Sequence, residues 1–233
     1  MLFFTIFNQP FNWRIYCNVR PRTWSIDFQS LNHKCTIVEN FTKYLKTKAS
    51  VSETEFLELI KKVEFRDIAK GEILLRPGEV CTHSFFVEKG LLRSYTIDSS
   101  GKEHIIQFGT ESWIVADRSS AFFNEPSDLF IDTIEESTVA LIDSDFLNPA
   151  SEISNTFRNY HQIALQNHIR YQQKRINLLL SANAESRYLN FITLYPNLTK
   201  RAQQWMIASY LGITPESLSR VRKELARKHF KSN

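Results

Sequence analysis

The stretch 209-SYLGITPESLSRVRKEL-225 decides how this chain is read, and the rest follows outward from it. A helix running to Leu211 meets Gly212, which accepts the left-handed backbone that ends a helix without steric penalty. Ile213 plugs the turn. Thr214 then supplies an N-cap hydroxyl, Pro215 suits the first helical position, and Glu216 complements the positive end of the helix dipole. Leu218, Val221 and Leu225 repeat at the spacing of a buried face, as do Met206, Ile207, Ala208 and Leu211 on the preceding helix. Ala208 is small where two helices must cross closely. The pattern predicts helix, turn, helix.

The second helix leaves Glu216, Ser217, Arg220 and Lys223 facing outward. Arginine forks onto guanine O6 and N7, glutamate accepts from cytosine N4, and serine serves either way. Arg222, Arg227 and Lys228 suit phosphates, which dominate affinity without reading sequence. A helical hairpin with a merely solvating basic face would share the periodicity. Charge distribution favours the first reading: from Lys200 onward eight basic residues face two acidic ones, a net +6 in a chain whose total is +4.

Upstream, Ala184–Tyr195 reads as a helix with Tyr188, Phe191, Ile192 and Tyr195 on one side, ended by Pro196. Residues 145–180 read as one long helix capped by Asp145. Ile153, Phe157, Tyr160, Ala164, Asn167 and Tyr171 follow a 4-3-4-3-4 stripe, the signature of a two-stranded seam, with polar Asn167 fixing register. A helix packed on its own β domain is the competing reading. From about 65 to 142 short β-type runs alternate with turn signals at Gly71, Pro77-Gly78, Gly90 and Ser100-Gly101, which predicts a β-sandwich, roll or barrel. Residues 36–63 read as helical, with Ser52 and Glu55 spaced as a capping box. Residues 1–34 show neither period and are expected to be an extension of little structural weight.

The chain has 233 residues, 42% hydrophobic and 23% charged, room for one large domain or two small ones. Cys17, Cys35 and Cys81 are scattered, so neither a disulfide framework nor a thiolate metal site is expected, and a cytoplasmic setting fits. No run approaches the roughly 18 apolar residues of a membrane span. The apolar start MLFFTIFNQPFNW lacks a basic leader and a cleavage signature.

A glycine-punctuated roll, a long helix and "GITPESLSRVRKEL", together with "GLLRSYTIDSSGKEHIIQF" and "AESRYLNFITLYPNL", resemble the Crp/Fnr family of bacterial transcription regulators over about residues 36–230. The resemblance implies an α+β fold. Residues 1–35 would be an unassigned extension and 36–144 an antiparallel, jelly-roll-like β-roll of the cyclic-nucleotide-binding type. Residues 145–181 would form a dimerisation helix and 182–233 a helix-turn-helix domain. It also implies a homodimer on a pseudo-palindromic duplex operator, with Thr214, Glu216, Ser217 and Arg220 at the DNA and RNA polymerase as a candidate further partner. Where the family's best-known pattern has an arginine after the turn, this chain has Pro215.

The family's cyclic-nucleotide motif is a Gly-Glu pair and a later Arg-Ser pair. Counting back from "VALI" places these on Ala116-Asp117 and Ser127-Asp128. The phosphate-pairing arginine is therefore missing and an acid lies beside its place, which disfavours a cyclic nucleotide as effector. Arg118-Ser119-Ser120 resembles the lost motif but comes too early. An iron–sulfur sensor would need a cysteine cluster, and His83 or His104 alone is a weak haem ligand candidate. Phe108 and neighbouring phenylalanines could line an apolar pocket, giving Phe108, Asp117, Ser127 and Asp128 as pocket candidates. No catalytic constellation, metal set or cofactor motif is found. The alternative function is a ligand-binding module acting through protein contacts, with a vestigial helix-turn-helix; a cupin-like metal enzyme is a distant third.

Overall fold

Alternating β-branched and aromatic runs cut by glycine turns form two four-stranded antiparallel sheets in the computed structural model, which describes residues 38–231. The N-terminal extension, with Cys17 and Cys35, lies outside the described residues. The strands are β1 (Glu64–Ile68), β2 (Ile73–Leu75), β3 (Ser84–Lys89), β4 (Leu92–Ile97), β5 (Glu103–Gly109), β6 (Ile114–Val115), β7 (Phe130–Thr133) and β8 (Ser137–Ile142). One sheet runs β1-β8-β3-β6 and the other β2-β7-β4-β5. Phe85, Val87, Leu92, Val115, Ile131 and Val139 are buried between them. The β4–β5 hairpin turns at Gly101, whose φ is +83°, as the sequence required. Gly90 is equally constrained: at φ +103° an added Cβ would meet Ser137 Oγ at 2.2 Å.

Ahead of the roll come α1 (Glu39–Lys43), a π-helical turn (Tyr44–Lys48) and α2 (Glu53–Leu59). The capping box is present, with Ser52 N donating to Glu55 Oε2 at 2.7 Å and Glu55 N to Ser52 Oγ at 3.4 Å. Phe41, Leu45, Leu59, Phe86, Phe146 and Phe157 close a core under these helices.

The expected single helix over 145–180 is two. Helix α4 (Ser144–Ile153) follows a short α3 (Arg118–Phe123), and α5 (Asn155–Ser181) follows a break at Ser154. The first N-cap is Asp143, whose carboxylate accepts from Phe146 N at 2.9 Å, rather than Asp145. Ser154 caps α5 through Phe157 N, so Ile153 ends the earlier helix instead of opening a stripe.

The aromatic members of that stripe face the chain's own body. Phe157 is buried, Tyr160 packs edge-on to Tyr44, and Tyr171 lies against Trp113 and bonds the hydroxyls of Tyr195 and Tyr210. Ala164 is half-buried, while Asn167 is exposed and accepts from Arg170. A second apolar set, Leu165, Ile169, Ile176, Leu179 and Leu180, is exposed. At about 100° per residue it spans an arc of roughly 100° beside the inward one. Helix α5 therefore carries two apolar faces, and the aromatic one is used at home.

Helices α6 (Ala184–Leu194), α7 (Leu198–Arg201), α8 (Gln204–Leu211) and α9 (Pro215–Lys231) complete the chain. The described residues cluster as one unit, and α8 lies on the edge strand β5. Ser209 Oγ accepts from Ile105 N at 3.0 Å and donates to Glu103 O at 2.9 Å, taking the hydrogen bonds a further strand would make. One continuous core runs from Leu91, Ile105 and Phe108 of the roll into Phe191, Tyr195, Ile207 and Leu218.

Candidate nucleic-acid interface and effector pocket

Gly212 takes φ +64° and ψ 38°, ending α8, and Ile213 N bonds back to Ala208 O at 3.0 Å. Thr214 Oγ1 accepts from Ser217 N at 3.3 Å, the N-cap geometry predicted from the sequence. Leu218 and Val221 are buried and Leu225 partly so, seating α9 on α6 and α8. The opposite face presents Thr214, Glu216, Arg220, Arg222 and Lys223 exposed and Ser217 half-exposed. The first-turn backbone amide, then the Thr214 hydroxyl, then the Arg220 charge hold the Glu216 carboxyl below its ordinary range, so it is an ionised acceptor at neutral pH. Lys228, a phosphate candidate, is instead tied to Glu185 at 2.7 and 2.8 Å.

The head's other side is bound to the roll. Arg201 of α7 donates to Glu111 (2.8 and 2.9 Å), Glu135 (2.6 and 3.3 Å) and Gly90 O (2.8 Å). Arg175 of α5 reaches Tyr210 O and Ile105 O, both at 3.1 Å, across the face of Tyr210. Arg93 forks onto Asp132 at 2.8 and 2.9 Å and bonds Glu103, with the Tyr95 ring on it and Trp205 of α8 nearby. The Tyr195 hydroxyl donates to Phe108 O. None of these partners was anticipated from the sequence, where Phe108 was read as a pocket candidate.

Of the four pocket candidates the structure joins two. Asp117 accepts from Ser119 N and Ser120 N at 3.1 Å through one oxygen and from the Ser127 hydroxyl at 2.7 Å through the other. Its carboxylate thus caps α3 and takes the donors that an incoming anion would need. Asp128 is exposed and makes none of these bonds. Phe108 is fully buried among Phe191, Tyr195 and Tyr210, in the seam between roll and head rather than in a pocket. His83 and His104 face Asp143 and Asp98, and among the described residues no group of three metal-ligating side chains forms. No described helix is long and apolar enough to cross a membrane.

An antiparallel roll joined by a long helix to a capped helix-turn-helix defines a class of sensor-plus-reader proteins. A family model described as "Cyclic nucleotide-binding domain" matches residues 65–152. An "Anaerobic regulatory protein" of Aggregatibacter actinomycetemcomitans is 29% identical over 67% of this chain and 64% of its own length. The "Fumarate and nitrate reduction regulatory protein" of Vibrio cholerae is 28% identical over 74% of this chain and 73% of its own. FixK2 from Bradyrhizobium japonicum shares the fold, with a TM-score of 0.61, 20% identity, and coverage of 72% of this chain and 86% of that one. These likenesses support the resemblance to the Crp/Fnr family of regulators.

Proposed function

We propose that this chain is a sequence-specific DNA-binding transcription regulator that acts as a homodimer. The observation that carries it is α9: capped at Thr214, seated by Leu218 and Val221, and presenting Glu216, Ser217 and Arg220 to solvent with basic residues around them. Those side chains match base-edge chemistry, and Arg222 and Lys223 match phosphates. The relatives' printed names as regulators agree. The exposed Leu165, Ile169, Ile176, Leu179 and Leu180 arc supports a two-fold seam with a second copy's α5, which would set two α9 helices on successive major grooves about 34 Å apart. Asp117, whose carboxylate already takes the amides at the start of α3 and the Ser127 hydroxyl, speaks against a cyclic nucleotide as effector.

Binding of the full chain to a random duplex, titrated from low to moderate salt, tests the reading. Affinity should fall steeply with salt, by a slope near 0.9 per phosphate contacted. Flat or absent binding would refute it.

A further inference from the structure

The exposed apolar residues of α5 leave a gap in their own spacing. Leu165, Ile169, Ile176 and Leu179 are separated by four, seven and three positions. A residue at 172 turns these steps into four, three, four and three, the period of a coiled-coil seam. In that heptad Leu165 and Leu179 take d layers and Ile169 and Ile176 take a layers, the choice that favours two parallel strands. Gln172, half-exposed, is the d layer between them. Gln162 stands at the open end of the seam, so Gln172 is the polar layer with apolar layers on both sides. Asn167, read from the sequence as the register residue, falls at the f position, farthest from a partner, and bonds Arg170 on its own helix.

The flanks of the seam suit a second copy of the same face. In a parallel pair the g residues His161, His168 and Arg175 meet the e residues Gln166, Gln173 and Leu180 of the second copy, so no like charges are opposed. Gln172 Nε2 lies 3.5 Å from His168 Nε2. Burial, then the Arg118 charge, lowers the His168 imidazole, so at neutral pH it is a neutral acceptor. The oxygen and the other N–H of the Gln172 amide have no bond among the described residues. An amide that loses its water against leucine or isoleucine goes unsatisfied, which is costly. A slip of one heptad sets Gln172 against leucine, and an antiparallel pair, which layers d against a, sets it against isoleucine. Parallel and in register, the two Gln172 amides meet and each donates to the other's oxygen. We infer that Gln172 fixes the register and parallel orientation of the α5 seam between two copies of this chain. That role rests on the homodimer reading. Its consequence reaches the heads, because a slip of seven residues would displace one head along the seam by about 10 Å.

Sedimentation of the full chain gives the dimer constant, and oxidation of a Leu165→Cys variant, with linked peptides identified by mass spectrometry, gives the register. With Gln172 in place, the link between the two 165 positions should be the main product. Gln172→Leu should tighten the dimer roughly tenfold, because the polar layer costs stability, yet lower the yield of that link about twofold or more as other registers fill. Gln172→Lys sets like charges across the two-fold axis and should weaken the dimer about tenfold or more. A looser dimer in Gln172→Leu, an unchanged link yield, or an unchanged dimer constant in Gln172→Lys would overturn the inference. A native dimer that forms no link at 165 would also overturn it and leave the homodimer reading standing. A native chain that stays monomeric at every concentration would remove that reading as well.

Discussion

The two sides of the helix-turn-helix are treated oppositely. On the roll side nearly every polar group is spent: Arg201 on two glutamates and a carbonyl, Ser209 on the edge of β5, Tyr195 on Phe108 O. On the outer side Arg220, Arg222 and Lys223 are exposed and form no ion pair among the described residues. Side chains that hold a domain in place are satisfied within the chain, whereas side chains meant for a partner are left free. The contrast separates the residues that anchor the head from those left free for the proposed DNA contacts.

Phe191→Ala should give the largest effect. Its ring is buried against Phe108, Tyr195 and Tyr210, and removing it should cost about 3–5 kcal/mol of stability in urea denaturation, loosening roll and head together. Arg220→Ala should leave stability intact yet lose about 1–3 kcal/mol of discrimination at one base pair, seen by comparing single-base operator variants. Equal loss on every sequence would move Arg220 to the phosphate class.

Arg201→Ala should cost about 1–2 kcal/mol, since its partners are half-exposed and solvent screens part of the attraction. It should also alter the pH profile. Burial pushes the Glu111 carboxyl up, but the Arg201 hydrogen bonds, the backbone amides of Glu111 and Gly90 and the Arg201 charge together outweigh it and hold the group below its ordinary value. A depressed carboxyl contributes stability above its unfolded value, near about 4.5, and loses it as pH falls through the folded value. Acid-side melting points should therefore drop in the native chain and flatten in the variant. Smallest of all is Lys228→Ala. An amine held by Glu185 is less available to phosphate, so duplex affinity should change less than for Arg222→Ala at equal salt.

Local chemistry was legible in the sequence because it is decided within a few residues. The Ser52–Glu55 box, the Gly101 hairpin, the Gly212 stop and the Thr214 cap all stand as read. The way Asp117 and Ser127 close on each other was not legible. Periodicity failed on α5 because both arcs are apolar, and spacing alone cannot say which one turns home. Tyrosine could have decided it: the Tyr171 hydroxyl needs partners, and those lie on Tyr195 and Tyr210 inside the chain. The break at Ser154 escaped notice since serine caps helices and also tolerates their interiors. The roll-to-head ties join residues about 70 to 110 positions apart, beyond any local pattern.

The serine of α8 that completes the bonds of β5 has a consequence for anyone who cuts the chain. A sheet edge with unpaired amides and carbonyls is a template for other chains. With Ser209 in place, the amide of Ile105 and the carbonyl of Glu103 are shielded from foreign strands. A sensor half expressed without α8 would uncover that edge along with Leu91, Ile105 and Phe108, making the isolated roll prone to pairing with its own copies and to precipitation.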